Sequence, residues 1–487
     1  MGPITWRHEA RVFPASPLQR IPRWVKVQET LPALLSTVSK ETVKEIEQQR
    51  SIEALVYTRV PYVKNEVQRF EYNVGEGIGL RSSSVPVEKE EWHWMDELGL
   101  FNSIDKVEKG VPEYSVCISQ ISKHYEVSDA QAGFWLSRFV QSVASEAVNR
   151  DIEDEFLVDR VSTFIRDLDK AALSWRIALW LDGIWLQDEQ YEIEDDFILR
   201  RPRPSDFETE VRFDELVRQA PSPVSIWHPS AILEFGFRSS KQPEVQLEIE
   251  TILNVLRLFR LGSVSSLRQR VCAESILALG YDSYTPSTPS TTYRYTVTAA
   301  DLDALRIFMC KMRPLLRQYP PYGPSAERSD PLIIALHRYK DALLHPPTPT
   351  ERKMTSAITC LEALYLKAKE RAELSHRLSQ RASALLRFLG FKPLKVYIEL
   401  RRGYEIRSTF VHGSEPEEDL RGWVPKLSQT IPEYARVSLV TFMQLLKEPV
   451  HEEKDRLINK LDNSLLDENA LKKVQQLVQD DSMMIPL

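Results

Sequence analysis

Residues Leu394 to Gly413 read LKVYIELRRGYEIRSTFVHG. Apolar residues recur there at the spacing of one helix face, which predicts a helix over 394–411. Gly413 stands just past the last periodic residue, where glycine commonly ends a helix in the left-handed conformation. His412 is then expected at an exposed helix terminus rather than in a bundle interior. At about 100° per residue, Arg407 and His412 lie about 140° apart on an ideal helix. A site using both therefore needs a distorted last turn or the matching residues of a second chain.

Outward from this stretch the same periodicity dominates the last third of the chain. It predicts helices at Ala300–Gln318, Asp330–Leu344, Thr350–Lys369, Ala372–Leu389, Leu394–Val411 and Thr430–Leu446, and a charged tail helix at Asn459–Gln479. Pro346, Pro347 and Pro349 mark one break and Gly390 another. The Ser/Thr/Pro-rich segment Tyr281–Tyr293 reads as a mobile loop or linker. Before it, Trp175–Trp185, Tyr191–Arg200 and Ala231–Phe237 read as strands, and Val245–Gly262 as an amphipathic helix. Trp175, Trp180, Trp185 and Trp227 fit core packing better than a ligand cavity.

Residues 113–170 read as mainly helical. Ser128 to Gln131 opens one helix, and the acidic run Asp151–Phe156 precedes another at Leu157–Leu168. Those carboxylates suit a helix start better than a metal site. Nearer the start, Thr42–Tyr57 predicts a helix and Tyr62–Val74 a short strand. The run Gly75-Glu-Gly77-Ile-Gly79 reads as a turn, since its spacing is not that of a dinucleotide loop. The class expected is α+β: a mixed α/β N-terminal region followed by an all-α helical bundle. The divisions expected are 1–170, mostly helical; 171–297, a small mixed α/β unit; 298–450, the helical domain; and 451–487, a helical tail. There is no internal repeat.

Composition bounds the function. A chain of 487 residues with 43% hydrophobic and 27% charged residues can bury ordinary cores. Its 16 glycines against 30 prolines are poor material for Gly-rich phosphate loops. Cys117, Cys272, Cys310 and Cys360 are scattered, with no CxxC, so buried reduced thiols and no zinc site are expected. Met1–Pro14 carries charges and no apolar run, unlike a signal peptide, and no stretch approaches the roughly 18 apolar residues of a membrane span. A cytoplasmic protein is expected, with no membrane contact. The net charge of -7 hides an asymmetry. Asp301 to Lys447 holds 24 Lys and Arg against 16 Asp and Glu, and the remainder 39 against 54. A basic module beside an acidic one suits an anionic partner, although on charge alone a solvated basic helix face is the commoner explanation.

An Arg followed five to seven residues later by His occurs three times: Arg338…His345, Arg371…His376 and Arg407…His412. Spacing does not choose among them; context does. Around the third, Tyr404-Glu-Ile-Arg407-Ser408-Thr-Phe-Val411-His412-Gly413 resembles the Y-x-x-R-S-x-x-V-H-G signature of Apea-like HEPN domains. Upstream, Leu361-Glu362-Ala-Leu364 and Arg381-Ala-Ser-Ala-Leu385-Leu386 resemble the two helices that precede that signature. The similarity covers about residues 300–447.

The resemblance implies a helical bundle that dimerises, with a composite site in which Arg and His of two protomers face each other. It also implies a metal-independent ribonuclease of defence or toxin-type cell-arrest systems, or a relative that has lost activity and only binds. The residue chemistry fits the active form. RNA carries its own nucleophile, the 2′-OH, so cleavage needs proton transfer and charge neutralisation at phosphorus. His412 is the candidate acid or base, and Arg407 offers a donor fork to phosphate oxygens. Ser408, Arg401, Arg402 and Tyr404 are candidate phosphate or RNA contacts. Glu362 and Arg381 are expected to pair across helices in a structural role, and Gly413 to end the helix.

The leading expectation is an endoribonuclease without cofactor or metal, acting on RNA as a homodimer. Its acidic N-terminal part would sense a phage or cellular trigger. The alternative is an inactive homodimer serving as a scaffold or as an RNA- or nucleotide-binding protein. Glu415 to Asp419 is acidic and would repel RNA. No Ser/His/Asp order, HExxH or Gly-Lys-Thr loop supports a separate enzyme in the N-terminal part.

Overall fold

A computed structural model describes residues 30–95, 98–212, 229–239, 245–278, 280–284, 293–319, 330–344, 350–415, 417–446 and 450–481. The chain is mixed α and β, with a helical C-terminal region. It divides into two compact units. One holds Met1–Thr58, Glu90–Lys170 and Ile276–Ala278; the other holds Arg59–Lys89, Ala171–Ser275 and Leu279–Leu487. A limit thus falls at Lys170, and none falls at 297 or 450.

In the first unit, α1 (Thr30–Ser51) packs against α2 (Gly99–Gly110), α3 (Pro112–Tyr125), α4 (Asp129–Asn149) and α5 (Asp154–Asp169). Leu35, Val38, Ile46, Trp135, Phe139 and Phe164 are buried there. The Ser128 hydroxyl accepts from the Gln131 N–H at 3.2 Å and caps α4, as its sequence predicts. Asp154 and Glu155 stand in the first turn of α5, where carboxylates favour the helix dipole.

The helix expected at Thr42–Tyr57 instead stops at Ser51, because Glu53 turns left-handed at φ 58° and Leu55 opens a strand. That strand, β1 (Leu55–Asn73), and β2 (Gly77–Trp94) far exceed the short strand expected. Both are mostly exposed or half-buried, so they lack the apolar alternation that announces a strand. The turn between them is Val74–Glu76, with Gly75 at φ +79°, while Gly77, at φ +149°, and Gly79 already belong to β2.

The second unit is built on an antiparallel sheet of six strands in the order β10-β9-β3-β8-β6-β5. Along the chain these and their neighbours are β3 (Leu173–Asp182), β4 (Ile184–Leu186), β5 (Gln190–Glu194), β6 (Phe197–Arg200), β7 (Thr209–Arg212), β8 (Ala231–Ser239), α6 (Val245–Phe259), β9 (Ser265–Ala273), β10 (Tyr281–Tyr284) and β11 (Tyr295–Val297). β7 pairs with β1, and β11 with β4. Trp175, Trp180 and Trp185 are buried in this unit; Trp227 lies outside the described residues. The segment expected as a linker starts as a strand, β10 on β9, and its Tyr293 is buried.

The helices follow as α7 (Leu302–Leu316), α8 (Pro331–Leu344), α9 (Thr350–Tyr365), α10 (Leu374–Leu386), α11 (Pro393–Val411), α12 (Glu418–Arg421), α13 (Val424–Leu445), α14 (Val450–Ser464) and α15 (Glu468–Asp481). The single tail helix expected at Asn459–Gln479 is two, α14 and α15, packed on each other. No helix of the described residues is long and apolar enough to cross a membrane. All four cysteines are free; Cys117 and Cys360 are buried, and Cys272 and Cys310 are exposed, which corrects the expectation of buried thiols.

Polar bonds tie α6 and Tyr293 to the helices that follow. The last carbonyls of a helix have no partner within it. Buried Arg436 of α13 donates to two such carbonyls of α6, Leu258 O at 2.8 Å and Phe259 O at 2.9 Å. The Tyr339 hydroxyl of α8 donates to Arg257 O at 2.9 Å. Pro432 lies inside α13 and has no N–H for the Ser428 carbonyl one turn earlier. The Tyr293 hydroxyl donates to that carbonyl at 2.5 Å. Tyr293→Phe is therefore expected to leave a buried acceptor empty and to cost about 1–3 kcal/mol, read as a lower urea midpoint.

Lys454 of α14 is buried and donates to Ala363 O of α9 at 2.5 Å. Burial lowers its ammonium pKa to about 8, against the pull of Asp455, Glu370 and Asp330. The unfolded lysine titrates near about 10.4. Between these values the unfolded chain binds more protons, so stability is expected to rise with pH across that window. In Lys454→Met this rise should vanish. An identical alkaline profile for both chains would refute the assignment.

Candidate functional site

The site predicted from sequence lies on α11. Pro393 occupies its first turn, where the missing N–H costs nothing. Val396, Glu399, Leu400, Gly403 and Ile406 are its buried face, turned to α9, α10 and α13. Gly403 permits the close approach to α13, since a β-carbon there would overlap Ile431.

The end of α11 is a Schellman motif. The Ser414 N–H donates to Thr409 O at 3.0 Å and the Gly413 N–H to Phe410 O at 3.0 Å, with Gly413 at φ +73°. His412 is the capping residue and is exposed, as Gly413 in the sequence implies.

Arg407 turns the other way. Its Nη2 donates to Glu362 Oε2 of α9 at 3.1 Å, and its guanidinium stands 5.5 Å from the Tyr404 ring centroid. The Arg407 Nε is buried without a partner. Burial pushes the Glu362 carboxyl above its usual range, although the Arg407 charge and the Tyr404 hydroxyl pull it down. Burial likewise raises Tyr404, with the Glu362 charge adding to it. Tyr404, Arg407 and Glu362 thus form one half-buried cluster. No hydrogen bond or ion pair joins Arg407 to His412 among the described residues. Within one chain Arg407 is half-buried against α9 and His412 is exposed at the helix end, in keeping with the about 140° between residues five apart on a helix.

The pair expected between Glu362 and Arg381 does not form. Glu362 faces α11. Arg381 of α10 is buried among Glu370, bonded at 2.7 and 2.8 Å, Asp462 of α14 at 2.7 and 2.9 Å, and Tyr365 O at 2.9 Å. Its role is structural, as expected, with different partners.

The phosphate candidates separate. Ser408 is half-buried in the last turns of α11, and Arg401 is exposed, with Glu405 at 3.8 Å. Arg402 is occupied: its guanidinium lies 3.6 Å over the Trp423 ring, which Lys426 also approaches at 4.8 Å. Glu415, Glu417, Glu418 and Asp419 are exposed just beyond His412, and Glu415 pairs with Arg421 at 2.7 Å.

The other two Arg…His hits resolve differently. Arg371 donates to Ala368 O at 2.7 Å and Glu370 O at 2.9 Å, and His376 Nδ1 meets the Tyr397 hydroxyl at 2.9 Å. His345 lies outside the described residues, while Arg338 pairs with Asp341 at 3.3 Å. Sequence reasoning missed Tyr397 and Trp423. Tyr397 sits one turn before Arg401, a signal that spacing could have supplied. Trp423 carries no local signal.

Among the described residues no group of three or more His, Cys, Asp or Glu side chains is gathered to hold a metal ion. Comparisons with protein-family models, with curated proteins and with solved structures find no match to this chain.

Proposed function

We propose that this chain is a metal-independent endoribonuclease of the HEPN kind, acting in the cytoplasm as a homodimer. The observation that carries the reading is His412, exposed at a capped helix end five residues beyond an Arg407 that Glu362 and Tyr404 hold in place. His412 takes the proton from a ribose 2′-OH. The 2′-oxygen bonds to phosphorus, the bond to the 5′-oxygen breaks, and that oxygen leaves with the proton that His412 took up. The products are a 2′,3′-cyclic phosphate and a 5′-hydroxyl. Arg407 meets the charge that builds on the non-bridging oxygens, where a fixed donor fork stabilises the transition state most. The N-terminal unit acts as the sensor that restrains this activity in a defence or toxin-type system.

The test is purified protein with labelled RNA in EDTA, beside His412→Ala. Chelator-resistant cleavage that leaves cyclic phosphate ends and is lost in the variant supports the reading. Equal background from both proteins overturns it. A second reading, an inactive homodimeric scaffold or RNA-binding protein, is favoured by two features: the engagement of Arg407 with Glu362, and the exposed acidic residues beside His412.

A further inference from the structure

The proposed cleavage uses neither His376 nor Tyr397. His376, in the first turn of α10, places Nδ1 at 2.9 Å from the Tyr397 hydroxyl of α11, with the two rings edge to face. One turn further along α11, the Arg401 guanidinium stands beside the same hydroxyl. A guanidinium only donates. The cluster offers the fork of exposed Arg401, with Tyr397 and His376 half-buried beside it. A guanidinium fork suits an oxyanion.

Its position on the helix adds a second observation. Ser408 and His412 follow Arg401 by seven and eleven residues. At about 100° and 1.5 Å per residue, both fall within about 20° of its azimuth, about 10 and 16 Å along the axis. Arg401, Ser408 and His412 thus line one side of α11 from its middle to its C-terminal end, and Arg401 and His412, the two ends of this row, are exposed. Glu405 lies on that side as well, 3.8 Å from Arg401.

We infer that His376, Tyr397 and Arg401 form a phosphate-binding subsite for single-stranded RNA, which sets the register of the strand against His412. The inference rests on the RNA-directed reading above. A phosphate seated on Arg401 displaces Glu405, an exposed pair of little worth. The strand then runs along α11 and reaches His412 a few nucleotides later. A dinucleotide is too short to occupy both ends. An octanucleotide spans them.

The test uses the full chain and a fluorescein-labelled 2′-O-methyl octanucleotide, which lacks the nucleophile and so reports binding alone. Fluorescence anisotropy should show about five- to tenfold weaker binding for Arg401→Gln and for Tyr397→Phe. Arg401→Gln should also lower the slope of log affinity against log salt by about 0.7, one single-strand phosphate contact. Tyr397→Phe should leave that slope unchanged, and Glu405→Gln should tighten binding. A labelled dinucleotide should bind all chains alike. Unchanged affinity and slope in Arg401→Gln, or an octanucleotide that the parent chain does not bind, overturns the subsite. Arg401 is exposed, so its variant keeps the test decisive if Tyr397→Phe fails to fold. If the octanucleotide binds as described and its 2′-hydroxyl form is not cut, the ribonuclease reading falls and the subsite stands. If RNA is cut and Arg401→Gln binds normally, the subsite alone falls.

Discussion

Arg381→Ala is expected to destabilise the second unit by about 3–5 kcal/mol, because removing one partner leaves buried charge uncompensated. Arg381 is 1% exposed, and its guanidinium answers Glu370 and Asp462 at once, so α10, the segment after α9 and α14 meet on one side chain. The Tyr365 carbonyl near the end of α9 loses its donor in the same change. A lower urea midpoint, with faster hydrogen exchange in α14, would show the loss. A change within about 0.5 kcal/mol would mean that the network carries no net stability.

The same network predicts an acid limit. Bonding to Arg381 first, and to the Lys367 N–H and Arg377, holds the Glu370 carboxyl down to about 2. An unfolded glutamate titrates near about 4.3. A carboxyl depressed on folding adds stability that is complete above the unfolded value and is lost as pH falls toward the folded one. The parent chain should therefore lose stability from about pH 4.3 down to about 2. In Arg381→Ala this slope should largely flatten.

His412→Ala is expected to reduce RNA cleavage by about a hundred- to ten-thousandfold, the usual contribution of a positioned acid or base. The residue is exposed at the end of α11, so the variant should fold and melt as the parent does. Arg407→Lys should lie between the parent and His412→Ala, since it keeps the charge and loses the fork. A mixture separates one-chain from two-chain sites. Subunits carrying Arg407→Gln and subunits carrying His412→Ala are each inactive alone. Mixed dimers contain one site with an intact Arg407 from one copy and an intact His412 from the other. Cleavage regained on mixing supports the composite site. Continued silence would sink it and leave a site within one chain.

Helices that bury one face were legible from spacing, and α8 and α11 fall within a residue of the expected limits. Elements without a one-sided core were not. β1 and β2 are half-exposed along their length, and β10 opens a glycine-free, Ser/Thr/Pro-rich stretch that reads as a linker. α13 was expected from Thr430 but begins at Val424, and Pro432 inside it obscures its first turns in the sequence. Tyr293, expected at the edge of a linker, supplies the bond that this proline removes.

For the site, local chemistry was enough to define α11, its glycine stop and the exposure of His412, because a helix end is set by a handful of adjacent residues. The helical repeat likewise set Arg407 and His412 on different sides of that helix. What only the tertiary structure decided was partnership. Glu362 took Arg407 instead of Arg381, Arg381 took acids lying 11 and 81 residues away, and Arg402 closed over Trp423 while Arg401 stayed open. Ion pairs and stacked cations are chosen by distance in space, which the order of residues along the chain does not carry.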